Sequence, residues 1–162
     1  MSAPMEAPAP SLVIRQAAVD DWDRVADLLA TSGLPLDGAR EHATEFVVAE
    51  RNGALIGCAA VERHGTAGLL RSVAVAAFER EKGTGEALVE RCLQVARESG
   101  ITTVVLLTTT AERYFPRFGF ETIDRSAVPD AVRDSAEFRG ACPASATVMR
   151  IRLSPEPTDA RR

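Results

Sequence analysis

The segment LLRSVAVAAFEREKGTGEALVERC, residues 69–92, runs from an apolar stretch through a charged, glycine-containing loop into a helical pattern. The identity of that loop decides the fold. A P-loop needs GxxxxGK followed by Ser or Thr, which is absent. A dinucleotide fingerprint needs GxGxxG, but Gly83-Thr84-Gly85-Glu86-Ala87-Leu88 carries Leu where the third glycine belongs. Seven residues also separate Val75 from Gly83, whereas a Rossmann strand turns directly into its helix. A kinase loop lies between two strands, and here a helix follows. What remains is Arg-x-x-Gly-x-Gly, with Arg80, Gly83 and Gly85 ahead of a helix expected from about Gly83 to Ser99. The first amides of a helix have no internal partner, and the helix dipole adds partial positive charge there. Glycine lets a phosphate reach that backbone, and Arg80 and Lys82 supply formal charge, so the natural ligand is a pyrophosphate. The plainer alternative is a helix start with incidental glycines.

Outward from this segment, the chain alternates strand and helix patterns. Residues 11–17 read as a strand. Trp22, Val25, Ala26 and Leu29 then form a helical stripe that Asp20 or Asp21 can cap and Gly33 can end. Two apolar runs flank Asn52-Gly53, a strong two-residue hairpin signal. Residues 67–75 form a fourth strand, apolar enough to be central. Leu88, Cys92, Val95 and Ala96, widened by Val89 and Leu93, mark the buried face of the next helix, and Gly100 ends it. A β-branched strand (101–109), a short helix (111–119), a strand (120–125), a helix (129–138) and a last strand (145–153) follow. A meander followed by alternating strands and helices indicates one mixed α/β domain over 11–153. Residues 1–10 and 154–162 read as a disordered lead-in and tail.

Composition narrows the function class. The 162 residues are 46% apolar and 26% charged with net charge −4, as in a soluble globular protein. Neither nucleic acid nor a membrane is expected as the main partner. No signal peptide is read at the N-terminus, and Cys58, Cys92 and Cys142 form no CxxC pattern, so a cytoplasmic protein with reduced thiols and no metal is expected.

Residues 69–92, together with the RYFPRFGF step at 113–120, resemble the Gcn5-related N-acetyltransferase superfamily over roughly residues 11–153. Segments 106–132 and 136–153 are further similar to N-acetyltransferases of bacterial arsenic-resistance operons, and LLTTTAERYF also resembles glutamate N-acetyltransferases. The resemblance implies the acyl-CoA N-acyltransferase fold. That is a mostly antiparallel central sheet with helices on both faces and a splay between the fourth and fifth strands. It implies acetyl-CoA as co-substrate and a small amine as acceptor, amino-acid-like in kind, with direct transfer in a ternary complex. A homodimer is compatible with it. Val73, Ala74 and Val75 would pair with the pantetheine arm, and a backbone amide among them would polarise the thioester carbonyl. Arg80, Glu81, Lys82, Gly83, Thr84, Gly85 and Glu86 would wrap the pyrophosphate.

The catalytic groups are less evident. Glu62 and Glu45 are candidate bases, set against a reading of each as a solvated strand-end carboxylate; His42 and His64 read as surface residues. Many relatives place Tyr four residues before the glycine of the GF step, where this chain has Phe115 and puts Tyr114 one residue earlier. One residue on a helix is a rotation of about 100°. Either Tyr114 donates the proton from a shifted position, or it is a packing residue and water protonates the thiolate. Arg71, beside Ser72, is costly in an apolar strand unless paired. It is a candidate clamp for a substrate carboxylate, or the partner of a strand neighbour such as Glu62. Two further readings stay open: a non-catalytic acyl-CoA-binding module, and a protein N-acetyltransferase.

Overall fold

The structure, a computed structural model, describes residues 11–141 and 143–154. The expected lead-in, most of the tail and Cys142 lie outside them. Seven strands form one sheet: β1 Val13–Gln16, β2 Phe46–Arg51, β3 Ala54–His64, β4 Ala67–Val75, β5 Thr103–Thr108, β6 Glu121–Ile123 and β7 Thr147–Arg152. Their spatial order is β1-β2-β3-β4-β5-β7-β6. All neighbours are antiparallel except β4 and β5. Helices α1 (Trp22–Thr31), α2 (Thr84–Glu98) and α3 (Asp130–Arg133) complete the fold. The mixed, mostly antiparallel sheet expected from the sequence is present.

The hairpin forms at the expected place. Arg51 pairs with Ala54, and Asn52 and Gly53 both take the positive φ that a two-residue turn requires. Leu88, Val89, Cys92, Leu93 and Ala96 of α2 pack on one face of the sheet with Val47, Ala59, Leu70 and Leu106. Val95 departs from expectation: it is 37% exposed, at the rim of that face. On the other face, Val25 and Leu29 of α1 meet Phe46, Val48, Cys58 and Ala60. Val132 and Val128 cover Leu69 and Val105. Both described cysteines are buried, and desolvation pushes the thiols of Cys58 and Cys92 up to about 12.

Two of the expected helices are shorter than their patterns. Residues 111–119 form a turn and a 3-10 segment, Phe115–Phe118, because Pro116 offers no amide to an α-helical ladder. The helix expected over 129–138 ends at Arg133, and the chain turns inward so that Ser135 and Glu137 bury.

Asp21 also behaves differently from a cap. Its carboxylate makes no cap bond to α1. It accepts from Arg15 at 2.8 Å, from Arg24 at 2.6 Å and from the Ala18 amide at 2.7 Å. The Arg15 hydrogen bond, opposed by burial, holds the Asp21 carboxyl well below its ordinary value of 3.8. A depressed carboxylate contributes stability that is present above its unfolded pKa and lost as pH falls through the folded value. Asp21→Asn is therefore expected to cost about 2 kcal/mol at pH 7, the scale of hydrogen bonds to a charged group. The difference from wild type should shrink as chemical denaturation is repeated toward pH 3.

Candidate functional site

The splay between the two central strands creates the site. β4 and β5 pair only at Ala67–Thr103, Gly68–Val104 and Leu69–Val105. Beyond Leu69 the strands diverge, and a cleft of about 1320 Å³ opens between them. The opposite edge of β4 is irregular as well. Cys58 pairs with Ala74 and Ala60 with Arg71, so two β4 residues, Ser72 and Val73, lie opposite one residue of β3. This is a β-bulge, and Ser72 sits in it at φ +60°. The bulge is held in place by the Cys58 thiol, which donates to the Ser72 carbonyl at 3.3 Å. Ser72 and Val73 have no register partner on either neighbouring strand. Backbone without a ladder partner, facing a cleft, is available to a ligand.

At the end of β4, the loop turns into α2. Glu79, buried, anchors it: Arg51 donates to its two oxygens at 3.1 and 3.3 Å and Thr84 at 3.4 Å. Sequence reading passed over Glu79, whose partner lies 28 residues away. Arg80 lines the cleft and donates to the Val75 carbonyl at 3.1 Å. Glu81 and Gly83 take φ +68° and +87°, which turns the chain into the helix start. No atom lies within 4 Å of where a Cβ on Gly83 would stand, whereas a Cβ on Gly85 would lie 2.8 Å from the Tyr114 hydroxyl. An open helix N-terminus with one arginine beside it suits a phosphate diester. Glu81 and Glu86 line the same region, while Lys82 and the buried Thr84 side chain do not.

Tyr114 and Phe115 divide as a rotation of one residue predicts. The Phe115 ring packs into the core against Phe118 and Phe120. Tyr114 lies in the cleft wall with its hydroxyl over Gly85 and the Arg117 guanidinium 4.3 Å above its ring. Burial pushes the Tyr114 phenol up, so it is protonated at neutral pH.

The other part of the cleft holds a buried charge network. Arg71 is 3% exposed and Glu62 2%. Arg71 Nη1 donates to Glu62 Oε2 at 2.6 Å, Nη2 to the Pro35 carbonyl at 3.3 Å and Nε to Ser72 Oγ at 3.1 Å. Its Nε also lies 3.4 Å from Glu137 Oε2. Arg71, Ser72 and Glu137 line the cleft; Glu62 does not and stands behind Arg71. Thus Glu62 is a buried partner rather than a solvated strand end. The histidines are not isolated surface residues either. His64 Nε2 lies 3.1 Å from Glu62 Oε1 and His42 Nε2 4.0 Å from it, while His42 Nδ1 meets Glu45 at 2.8 Å. Glu137 escaped sequence reading because its pattern resembled a helix interior. Among the described residues no group of three or more metal-ligating side chains converges. No described helix is long and apolar enough to cross a membrane.

Comparison with known proteins agrees with this geometry. Residues 42–122 match the acetyltransferase (GNAT) domain model. An amino-acid acetyltransferase of Pseudomonas syringae pv. syringae is 34% identical over 128 residues, covering 74% of this chain and 30% of its own length. The N-acetylglutamate synthase of Neisseria gonorrhoeae, solved with coenzyme A and N-acetyl-glutamate, superposes with a TM-score of 0.76 at 28% identity. That match covers 93% of this chain and 36% of the synthase. A Mycobacterium tuberculosis protein solved with CoA gives 0.75 at 29% identity, over 88% of this chain and 99% of its own. The chain thus spans about a third of the length of the amino-acid acetyltransferases it matches.

Proposed function

The chain belongs to the GNAT acetyltransferase family, and from that premise we propose that it transfers the acetyl group of acetyl-CoA to the amine of a small, amino-acid-like acceptor. The observation that carries this reading is the junction of two features in one cleft. Backbone without ladder partners at Ser72 and Val73 lies beside the splay, and an open helix start at Gly83 lies at the end of the same strand. An extended pantetheine arm fits the first and a pyrophosphate the second. The relatives named above support an amino-acid acceptor. The arsenic-operon likeness rests on two sequence segments alone and bears only on which amine is used.

Roles follow from placement. The thioester supplies the reactive carbonyl and the leaving thiolate. Val73 to Val75 orient it, and an amide of the bulge polarises its oxygen. Arg80 and the first amides of α2 hold the diphosphate. Glu62 acts through Arg71, fixing the guanidinium at the bulge, so it is a positioning residue. Tyr114, with its hydroxyl over Gly85, serves the anion cradle, and water protonates the thiolate. Tyr114→Phe is accordingly expected to weaken acetyl-CoA binding by about 1 kcal/mol and leave kcat nearly unchanged. A loss confined to kcat would make Tyr114 the proton donor instead.

The proposal is tested by measuring thiol release from acetyl-CoA with a panel of amino acids, with product mass as confirmation. Turnover with at least one amino acid is expected. Tight acetyl-CoA binding with no turnover across the panel would identify a non-catalytic acyl-CoA-binding module.

A further inference from the structure

We infer that Cys58 is a positioning residue for acetyl transfer: by holding the Ser72 carbonyl, its thiol aims the Val73 amide into the cleft, where the thioester oxygen would meet it. This rests on the proposed function and adds to it the group that orients the polarising amide.

Ser72 and Val73 share one peptide unit. Every described peptide bond is trans. A trans peptide is planar, so the Ser72 carbonyl and the Val73 N–H point in opposite directions. The Cys58 thiol, on β3, donates to that carbonyl at 3.3 Å. The carbonyl therefore faces β3, and the Val73 N–H faces away from it. Away from β3 lies β5, but the pairing of β4 with β5 has ended at Leu69 and Val105. Val73 lies in the lining of the cleft that opens there. One hydrogen bond on the closed side of β4 thus sets the direction of the amide on its open side.

The hold is needed because the bulge is strained. Ser72 stands at φ +60°, where a side chain crowds the backbone. Such a residue persists only where its surroundings fix it. Two contacts do so. Arg71 Nε donates to Ser72 Oγ at 3.1 Å and fixes the side chain. The Cys58 thiol fixes the peptide unit. With the thiol gone, the peptide between 72 and 73 is free to rotate and take its N–H out of the cleft. Cysteine suits the place. Cys58 is fully buried, in the cluster that holds Phe46, Val48, Ala60 and Ala74. A hydroxyl is costlier to bury there than a thiol, and alanine or valine would bring no donor. Burial pushes the Cys58 thiol up to about 12, so it keeps the proton it donates.

The test crosses size with donor. Cys58→Val keeps an apolar side chain and removes the donor; Cys58→Ser keeps a donor and leaves the packing poorer. Single-turnover acetyl transfer to the amino acid that wild type uses best, acetyl-CoA affinity and melting temperature are measured for each. Cys58→Val is expected to melt near wild type and to bind acetyl-CoA as well. It should transfer at least about tenfold more slowly, since outright loss of one such donor costs about a hundredfold or more. Cys58→Ser should melt lower and keep most of the transfer rate. Wild-type transfer in Cys58→Val, or rates that follow melting temperature through the series, would overturn the assignment. The infrared carbonyl band of bound acetyl-CoA, labelled with carbon-13 at the acetyl carbonyl, reads the same contact without turnover. It should move to higher frequency in Cys58→Val, as a carbonyl band does on losing a hydrogen bond; an unmoved band would also overturn the assignment. A wild type that binds acetyl-CoA and acetylates nothing overturns the acetyltransferase reading, and the band then still tests the amide. Should Cys58→Ser not fold, the rate and band of Cys58→Val decide.

Discussion

Arg71→Ala is expected to lower the unfolding free energy by about 3–5 kcal/mol, the cost of stripping the partner from a buried charge. Two carboxylates depend on this guanidinium, Glu62 at 2.6 Å and Glu137 at 3.4 Å. Both are buried, at 2% and 5% exposure. Without Arg71 both buried carboxylates lose an ion pair inside the fold. The bulge would suffer as well, because Ser72 Oγ loses its donor. Urea titration gives the number directly, from a fall in midpoint at unchanged slope. A second variant separates charge from packing. Arg71→Met combined with Glu62→Gln removes one charge of each sign and should recover part of the loss, since well-packed neutral groups often replace a buried pair at little cost. If Arg71→Ala unfolds at the wild-type midpoint, the network is not what holds β4 at the cleft.

Gly83→Val carries the largest expected effect on ligand binding, a loss of acetyl-CoA affinity of about 3 kcal/mol or more. Stability and binding suffer for separate reasons. The residue stands at φ +87°, where a branched side chain is strained by about 1–2 kcal/mol, a cost to stability. Its side chain would also enter the open space at the α2 start, where no atom now lies within 4 Å. That space is where a diphosphate would accept hydrogen bonds from the helix amides, each worth about 1.5–3 kcal/mol when charge-assisted. Gly65→Val is the control. It has a similar φ of +71° and equally open surroundings, but sits in the β3–β4 turn, outside the cleft lining. It should cost stability and spare binding.

The features legible in the sequence are those written in contiguous residues. Asn52-Gly53 specifies its own turn, and the spacing from Val75 to Gly83 by itself separates this loop from a Rossmann start. The bulge was not legible. Ser72 and Val73 lie in an apolar run whose period is unbroken, and the extra residue appears only when Cys58 and Ala74 come into register. The charge network was half legible. Arg71 in a central strand demanded a partner, and Glu62 on the neighbouring strand was the candidate. Glu137 reaches Arg71 across 66 residues of chain, from a segment whose pattern continued a helix that the structure ends at Arg133. Long-range pairing of this kind leaves no local trace. The Tyr114–Phe115 step was legible as a question and answered by packing, with Phe115 in the core and Tyr114 over Gly85.

The central claim is that one cleft, between the bulge of β4 and the start of α2, receives acetyl-CoA. Amide hydrogen exchange with and without saturating acetyl-CoA tests it most directly, because it reads the backbone itself. Protection should concentrate in peptides covering residues 72–75 and 82–86, the bulged strand and the helix start. Protection confined to other peptides, or none at concentrations that saturate the protein, would contradict the account.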